Sequence, residues 1–563
     1  MSSDQIFKGV VSTAIALVMV FSVSVGTMQA RSDETADLIL KNGEIYTVDE
    51  NNSVVEAVAV NDDTIIETGS YDDVDQFMGQ KTEVIDLEGR AVTPGLADGH
   101  MHLYSMATIA LGVDVYWLEK SELLENVEEE VEQTEPGEWV LGRGYNEALW
   151  DDAEPHREVL DEISTEHPIA LTRYCGHQLW VNSKALELSG IDAETEVEDG
   201  TLIRDDDGEP TGLLLGAAMG EIDRPGYEEE EIMQGIAEVT ELAASYGLTY
   251  LHDASAHSLD RIDNMKELYE NGKIDIRVND MASYDAAMEM GTPEKGLYNN
   301  KYSIQSVKFQ IDGSLGARSA AFKEDYSDDP GNDGLTYYEE DELTEKVADL
   351  YEIEFQPRTH AIGDYGNHKT LNVYERALEQ VNNDFVDDHR SAIEHSQIID
   401  FKDIPRFAKL DIIASWNQIH ATEDMLFAED RVGEERILGA YAWQTMESLG
   451  VVGLGGSDAA VSPLNPFYGI HAAVTRQDRD NNPEDGWYGD QALTREQALR
   501  QYTYNNAYAA FQEDLLGSIE PGKLADFTVL DQNIMDEEEV PDEKIWKTEP
   551  IKTIVGGEIV YEQ

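Results

Sequence analysis

Between residues 91 and 455 short apolar runs alternate with amphipathic stretches, a rhythm that few folds other than a parallel α/β architecture accommodate. The runs at 91–96, 169–173, 249–252, 274–278, 306–311, 356–361, 392–395, 412–415 and 451–455 are expected strands. Stretches at 123–132, 232–246, 343–353 and 368–381 carry helical periodicity. Strands that are apolar along their whole length must be covered on both faces, which helices flanking a parallel sheet achieve. A polar region from about 121 to 231 breaks the rhythm and reads as an insertion. Strand-like segments at 36–39, 44–46, 57–61 and 64–68, and again at 517–530 and 551–560, sit at opposite chain ends. Their pairing into one small satellite β domain is expected.

Metal-compatible side chains close several of these runs. The segment Val92-Thr-Pro-Gly-Leu-Ala-Asp-Gly-His-Met-His102 carries His100 and His102. Residues i and i+2 of a strand project to one face, so both imidazoles can meet one ion. Lys308 lies inside the apolar run opening Val307-Lys-Phe-Gln-Ile-Asp-Gly-Ser-Leu-Gly-Ala-Arg318, where desolvation lowers the pKa of an amine. A neutral amine there can take up carbon dioxide and become a carbamate able to bridge two metals. His360 precedes a glycine turn in Thr359-His-Ala-Ile-Gly-Asp364, and His395 ends Ile393-Glu-His-Ser396. Asp458 follows the run in Gly453-Leu-Gly-Gly-Ser-Asp-Ala459. Taken singly, a core histidine, a lysine reaching the surface, or an aspartate capping a helix explains each residue. The ordered set, each member closing an apolar run, indicates a metal site.

The charge balance narrows the partners. The 563 residues include 116 acidic and 39 basic side chains, a net charge of −77. Acidic clusters at 128–130, 205–207, 228–231 and 537–539 read as solvated surface. Self-repulsion on this scale is damaging in dilute salt but screened within ~3 Å at 1 M, so the composition resembles that of an extreme halophile. It excludes nucleic acid as a partner, because phosphate binding needs the opposite sign. Cys175, the single cysteine, permits no intrachain disulfide and no cysteine-rich metal site. Residues 10–25 form an almost unbroken apolar run after Lys8, so residues 1–30 read as a signal peptide or an uncleaved membrane anchor. Export or anchoring is expected, with membrane contact only through this segment if it is uncleaved. Initiation at Met28 would instead leave the protein cytoplasmic.

On these residues the chain resembles the amidohydrolase superfamily, and closely its YtcJ-like branch, which includes N-substituted formamide deformylases. The resemblance runs from about Ala36 to the C-terminus. It rests on His100-Met-His102, residues 308–318, His360-Ala-Ile-Gly-Asp364, Glu394-His395, Gly456-Ser-Asp458 with Ser462-Pro-Leu-Asn-Pro466, and residues 517–531. It implies a distorted (β/α)8 TIM barrel over residues 94–509 and a small β-sandwich built from 36–93 and 510–563. The site would lie at the C-terminal ends of the strands. The resemblance further implies His100 and His102 on one divalent metal, N6-carboxylated Lys308 bridging, and His360 and His395 on a second. Asp458 would bind the first metal and handle protons. One ion or two is open at this point, and zinc is the ion expected of a hydrolytic site rich in nitrogen and oxygen. His177 and His420 match family positions near the substrate pocket, although Ile419 replaces the proline common before the latter. His252 is assigned a supporting place behind the ligands. His156, His257 and His471 read as structural.

The expected chemistry is hydrolysis of a carbon–nitrogen bond in a small non-peptide amide, formamide or cyclic imide. A metal lowers the pKa of bound water from 15.7 towards ~7. Asp458 takes its proton and delivers it to the leaving nitrogen, while His177, His420 or a second ion assists the carbonyl. Two other readings compete. An esterase or isomerase would use the same ligand set, and an inactive exported binding protein would have no need of Asp458. Trp150, Trp180 and Tyr174 in the insertion supply either a pocket wall or, by default, the insertion's own core.

Overall fold

The computed structural model describes residues 35–150, 155–174, 176–197 and 200–563. The apolar segment 10–25 and Cys175 therefore lie outside the described residues. Among the described residues no helix is long and apolar enough to cross a membrane.

Eight parallel strands lie side by side in chain order. They are β1 (Leu96–Met101), β2 (Leu248–His257), β3 (Arg277–Ala282), β4 (Tyr302–Gln310), β5 (Gln356–Ala361), β6 (Ala392–His395), β7 (Ile413–Trp416) and β8 (Gly453–Gly455). Helices between the strands bury one stripe each. In Glu340–Glu352 the buried positions Leu343, Val347, Leu350 and Tyr351 recur with helical spacing. The sheet curls until β1 and β8 are neighbours, giving the TIM-barrel fold. No strand–strand ladder joins these two. The Asn506 amide instead donates to Ala97 O at 2.9 Å and Gly455 O at 3.0 Å, and Ala97 N donates to Tyr502 O at 2.7 Å. Higher on the seam Asp458 N donates to His100 O at 2.7 Å. Gly99 is required here, because a Cβ would stand 2.3 Å from Asn506 Oδ1 and 2.9 Å from Gly455 O.

Strands β5 and β6 have the boundaries expected from sequence. The run at 91–96 does not form one strand. Ala91–Pro94 pairs with Glu44–Tyr46 and with Phe527–Leu530, and the chain turns at Gly95 into β1. The run at 274–278 also falls short, since β3 extends to Ala282 through the buried polar residues Asn279 and Asp280. The run at 169–173 is a strand, but in the insertion's own sheet. That sheet orders Thr201–Arg204, Pro210–Leu215, Gln178–Val181, Ile169–Arg173, Val140–Tyr145 and Val113–Asp114, so it begins before residue 121.

Segments from both chain ends share one six-stranded sheet, a four-stranded sheet is built from N-terminal strands alone, and Leu40, Ile45, Val60, Val92, Phe527 and Ile554 belong to one buried core. A buried ion pair ties this unit to the barrel. Arg277 of β3 grips Asp526 through Nε (2.7 Å) and Nη2 (2.8 Å).

Candidate metal centre

The C-terminal ends of the barrel strands bring His100, His102, Lys308, His360, His395, His420 and Asp458 together. His100 and His102 leave β1 on the same face, as their spacing demands. Their Nε2 atoms lie 3.4 Å and 3.1 Å from Asp458 Oδ1. The other Asp458 oxygen faces His420 Nε2 at 3.7 Å. Lys308 Nζ reaches His100 Nε2 at 3.1 Å. The His360 and His395 rings meet edge to face with centroids 4.4 Å apart, and His395 lies 4.9 Å from His100. His395 (φ 69°) and Asp458 (φ 58°) both occupy the left-handed region, a strained backbone kept where geometry is functional.

The donor set suits a divalent cation. Asp458 Oδ1, His395 Nδ1 and His420 Nε2 are buried without a hydrogen-bond partner, although several potential partners surround them. Buried polar atoms left unpaired are costly, and ligation is the chemistry these three types share. Among the described residues three groupings of ligand atoms are close enough to hold an ion: His100/His102/Asp458 and His395/His420/Asp458 in this cluster, and Asp253/His257/Asp280 behind it. Burial and the neighbouring Lys308 hold His100 down to about 4 and His360 to about 3, and burial keeps His395 well below the ordinary imidazole range. All three rings are therefore neutral, as ligands must be. Burial also lowers the Lys308 amine. Burial would raise Asp458, but the His102 and His100 contacts outweigh it and keep the carboxylate ionised.

The "Amidohydrolase family" pattern matches residues 83–561. The chain belongs to the amidohydrolase family. This amidohydrolase is 30% identical over 535 residues to a Bacillus subtilis protein provisionally named amidohydrolase YtcJ, covering 93% of this chain and 99% of that one. It is 26% identical over 556 residues to the N-substituted formamide deformylase of Arthrobacter pascens, covering 94% and 98%. A crystal structure of an uncharacterised metal-dependent hydrolase from Pyrococcus horikoshii OT3 superposes with a TM-score of 0.73 at 25% identity, covering 90% of this chain and 99% of that one.

Behind the cluster this amidohydrolase carries a buried polar network that includes His252, as expected, and in which motif reading missed the roles of Glu394, Arg358 and Asp98. Glu394 accepts from His100 Nδ1, which leaves Nε2 facing the cluster. Arg358 donates to the other Glu394 oxygen, to Gly99 O (3.0 Å) and to His252 Nδ1 (2.9 Å). The signal was present: Arg358 stands two residues before His360 on β5, and Glu394 directly precedes His395. Asp98 clamps the seam by accepting from His100 N at 3.0 Å and Ser457 N at 3.1 Å.

Above the cluster opens a cavity of about 1820 Å³. His177 lines it from the insertion, as do Trp117 and Tyr174, whose rings lie 5.3 Å apart. Trp150 and Trp180 do not reach it; with Tyr145 they form the insertion's own core. His471 lines the cavity, whereas His156 caps the helix Arg157–Ile163. His257 pairs with Asp253 at 2.7 Å behind the rim.

Proposed function

We propose that this amidohydrolase hydrolyses a carbon–nitrogen bond of a small non-peptide amide, formamide or cyclic imide. The observation that supports it best is Asp458, an ionised buried carboxylate with one oxygen between the His100 and His102 nitrogens and the other towards His420. His100, His102 and Asp458 would hold one zinc ion, with His360 and His395 available to a second and Lys308, carboxylated, between them. A zinc ion so held supplies Lewis acidity, polarising a carbonyl and making water a nucleophile near neutral pH. Asp458 accepts the proton of the attacking water and returns it to the departing nitrogen, which then leaves as a neutral amine. His420, beside the same carboxylate, and His177, across the cavity, are placed to donate hydrogen bonds to the oxygen on which charge develops. The Arthrobacter relative's name, an N-substituted formamide deformylase, agrees with this bond type. The acid-rich surface we infer to be an adaptation to concentrated salt.

Zinc-loaded protein in molar KCl should hydrolyse members of an N-formyl and cyclic-imide panel. Turnover should vanish on chelation, return on zinc addition, and be absent in Asp458→Ala. Activity that survives chelation or the Asp458 replacement would refute the assignment. Stoichiometric metal with no turnover across amides and esters would identify a binding protein instead.

A further inference from the structure

The arginines of the cavity are treated unequally. Arg173 is engaged by Glu147, with Nε 2.9 Å and 2.8 Å from the two carboxylate oxygens. Arg431 pairs with Asp328, which also pairs with Arg318. Arg479 is exposed and lies over the Tyr468 ring, 4.5 Å from the centroid, whereas Arg261 is half-buried. Its guanidinium lies over the Tyr104 ring, 3.8 Å from the centroid, and among the described residues it has neither a carboxylate partner nor a hydrogen-bond acceptor.

Its position ties it to the chemistry. Tyr104 lies two residues beyond His102 in the first turn of the helix Leu103–Ala110, and Arg261 lies in the first turn of Leu259–Glu270, directly after β2. Both line the same cavity as Lys308 and Asp458. A guanidinium held against a ring face keeps its in-plane N–H donors available, and such a fork can take a carboxylate through two hydrogen bonds. The net charge of −77 does not forbid an anion there, since at 1 M salt repulsion is screened beyond ~3 Å and the local contact decides.

We propose that Arg261 binds a carboxylate carried by the substrate, so that the preferred substrates are anionic amides held between Arg261 and the His100–Asp458 cluster. This rests on the hydrolytic reading above and specifies its substrate class. The test compares N-formylphenylalanine with its uncharged amide, N-formylphenylalaninamide, on zinc-loaded protein in molar KCl. Wild type should prefer the carboxylate. Arg261→Met should lower kcat/KM for the carboxylate on the order of 10- to 100-fold more than for the amide, mainly through KM, and Arg261→Lys should restore part of it. Equal losses for the two compounds, or no preference in wild type, would overturn the proposal. Equilibrium binding of 3-phenylpropionate and 3-phenylpropionamide separates recognition from catalysis. Tighter binding of the anion that depends on Arg261 upholds the carboxylate site even if neither formyl compound is hydrolysed, in which case the hydrolytic reading alone fails. Anion binding indifferent to Arg261→Met refutes the site.

Discussion

Glu394 accepts the Nδ1 proton of His100, and both side chains are wholly buried. Because Arg358 donates to the second carboxylate oxygen, Glu394 serves two donors at once. A glutamine cannot: with its oxygen on His100 its amide hydrogens oppose Arg358, and reversing it puts them against the His100 N–H. Glu394→Gln should therefore weaken zinc affinity by about 10- to 100-fold, read by competition with a chromogenic chelator on protein shown by circular dichroism to be folded. Wild-type affinity in that variant would remove Glu394 from any role in orienting the ligand.

Stability should fall as pH rises from about 6.5 to 9. Burial would lower His257, but Asp253 and Asp280 outweigh it and, against the opposing charge of Arg261, hold the ring up to about 9 from an ordinary 6.5. A group raised on folding stabilises fully below its unfolded value and loses that contribution as pH passes its folded value, here on the order of 3 kcal/mol. Burial of Asp280, pushed up to about 7, acts with the same sign from 3.8 upward. The thermal midpoint in molar salt should drop across this window, and His257→Gln should flatten its upper part. An unchanged slope in the variant would dismiss the ion pair as the cause.

Salt should stabilise strongly. With a net charge of −77, lengthening the screening distance from ~3 Å at 1 M to ~10 Å at 0.1 M exposes each carboxylate to more of its neighbours. The midpoint of thermal unfolding should rise steadily with KCl across that range. A midpoint indifferent to salt would contradict the adaptation inferred from composition.

Gly99→Ala should destabilise by several kcal/mol, because its Cβ would collide with Asn506 Oδ1 and Gly455 O. Since part of that clash is with a side chain, Asn506→Ala should recover some of the loss in Gly99→Ala. Losses that simply add would show that the two residues do not share the seam.

Strands β5 and β6 were legible although Arg358 and Glu394 interrupt them, because each runs to a histidine at its end, His360 ahead of a glycine turn and His395. Strand β3 was not, because its buried Asn279 and Asp280 mimic loop residues until their partners are visible. The division of 91–96 between two sheets was hidden for a similar reason. The Pro94-Gly95 turn is visible in the sequence, but that the two sides enter different sheets shows only in the structure, where Gly95 is crowded against Thr249. Among functional residues, motif spacing located the cluster from His100 to Asp458. It did not single out Arg358, although that residue stands two before His360, and it could not locate Arg261, whose significance lies in the absence of an acid partner.

The Asn506 seam sets an order of assembly. His100 and Asp458 are 358 residues apart in the chain, and the lower part of the seam between their strands is closed by residues 502 and 506, later still. On the ribosome every strand of the barrel is made before the piece that fastens it. The cluster is therefore complete only after nearly the whole polypeptide has emerged, and a chain truncated before residue 502 would keep only contacts higher on the seam, such as Asp458–His100 and Ser457–Asp98, to close it.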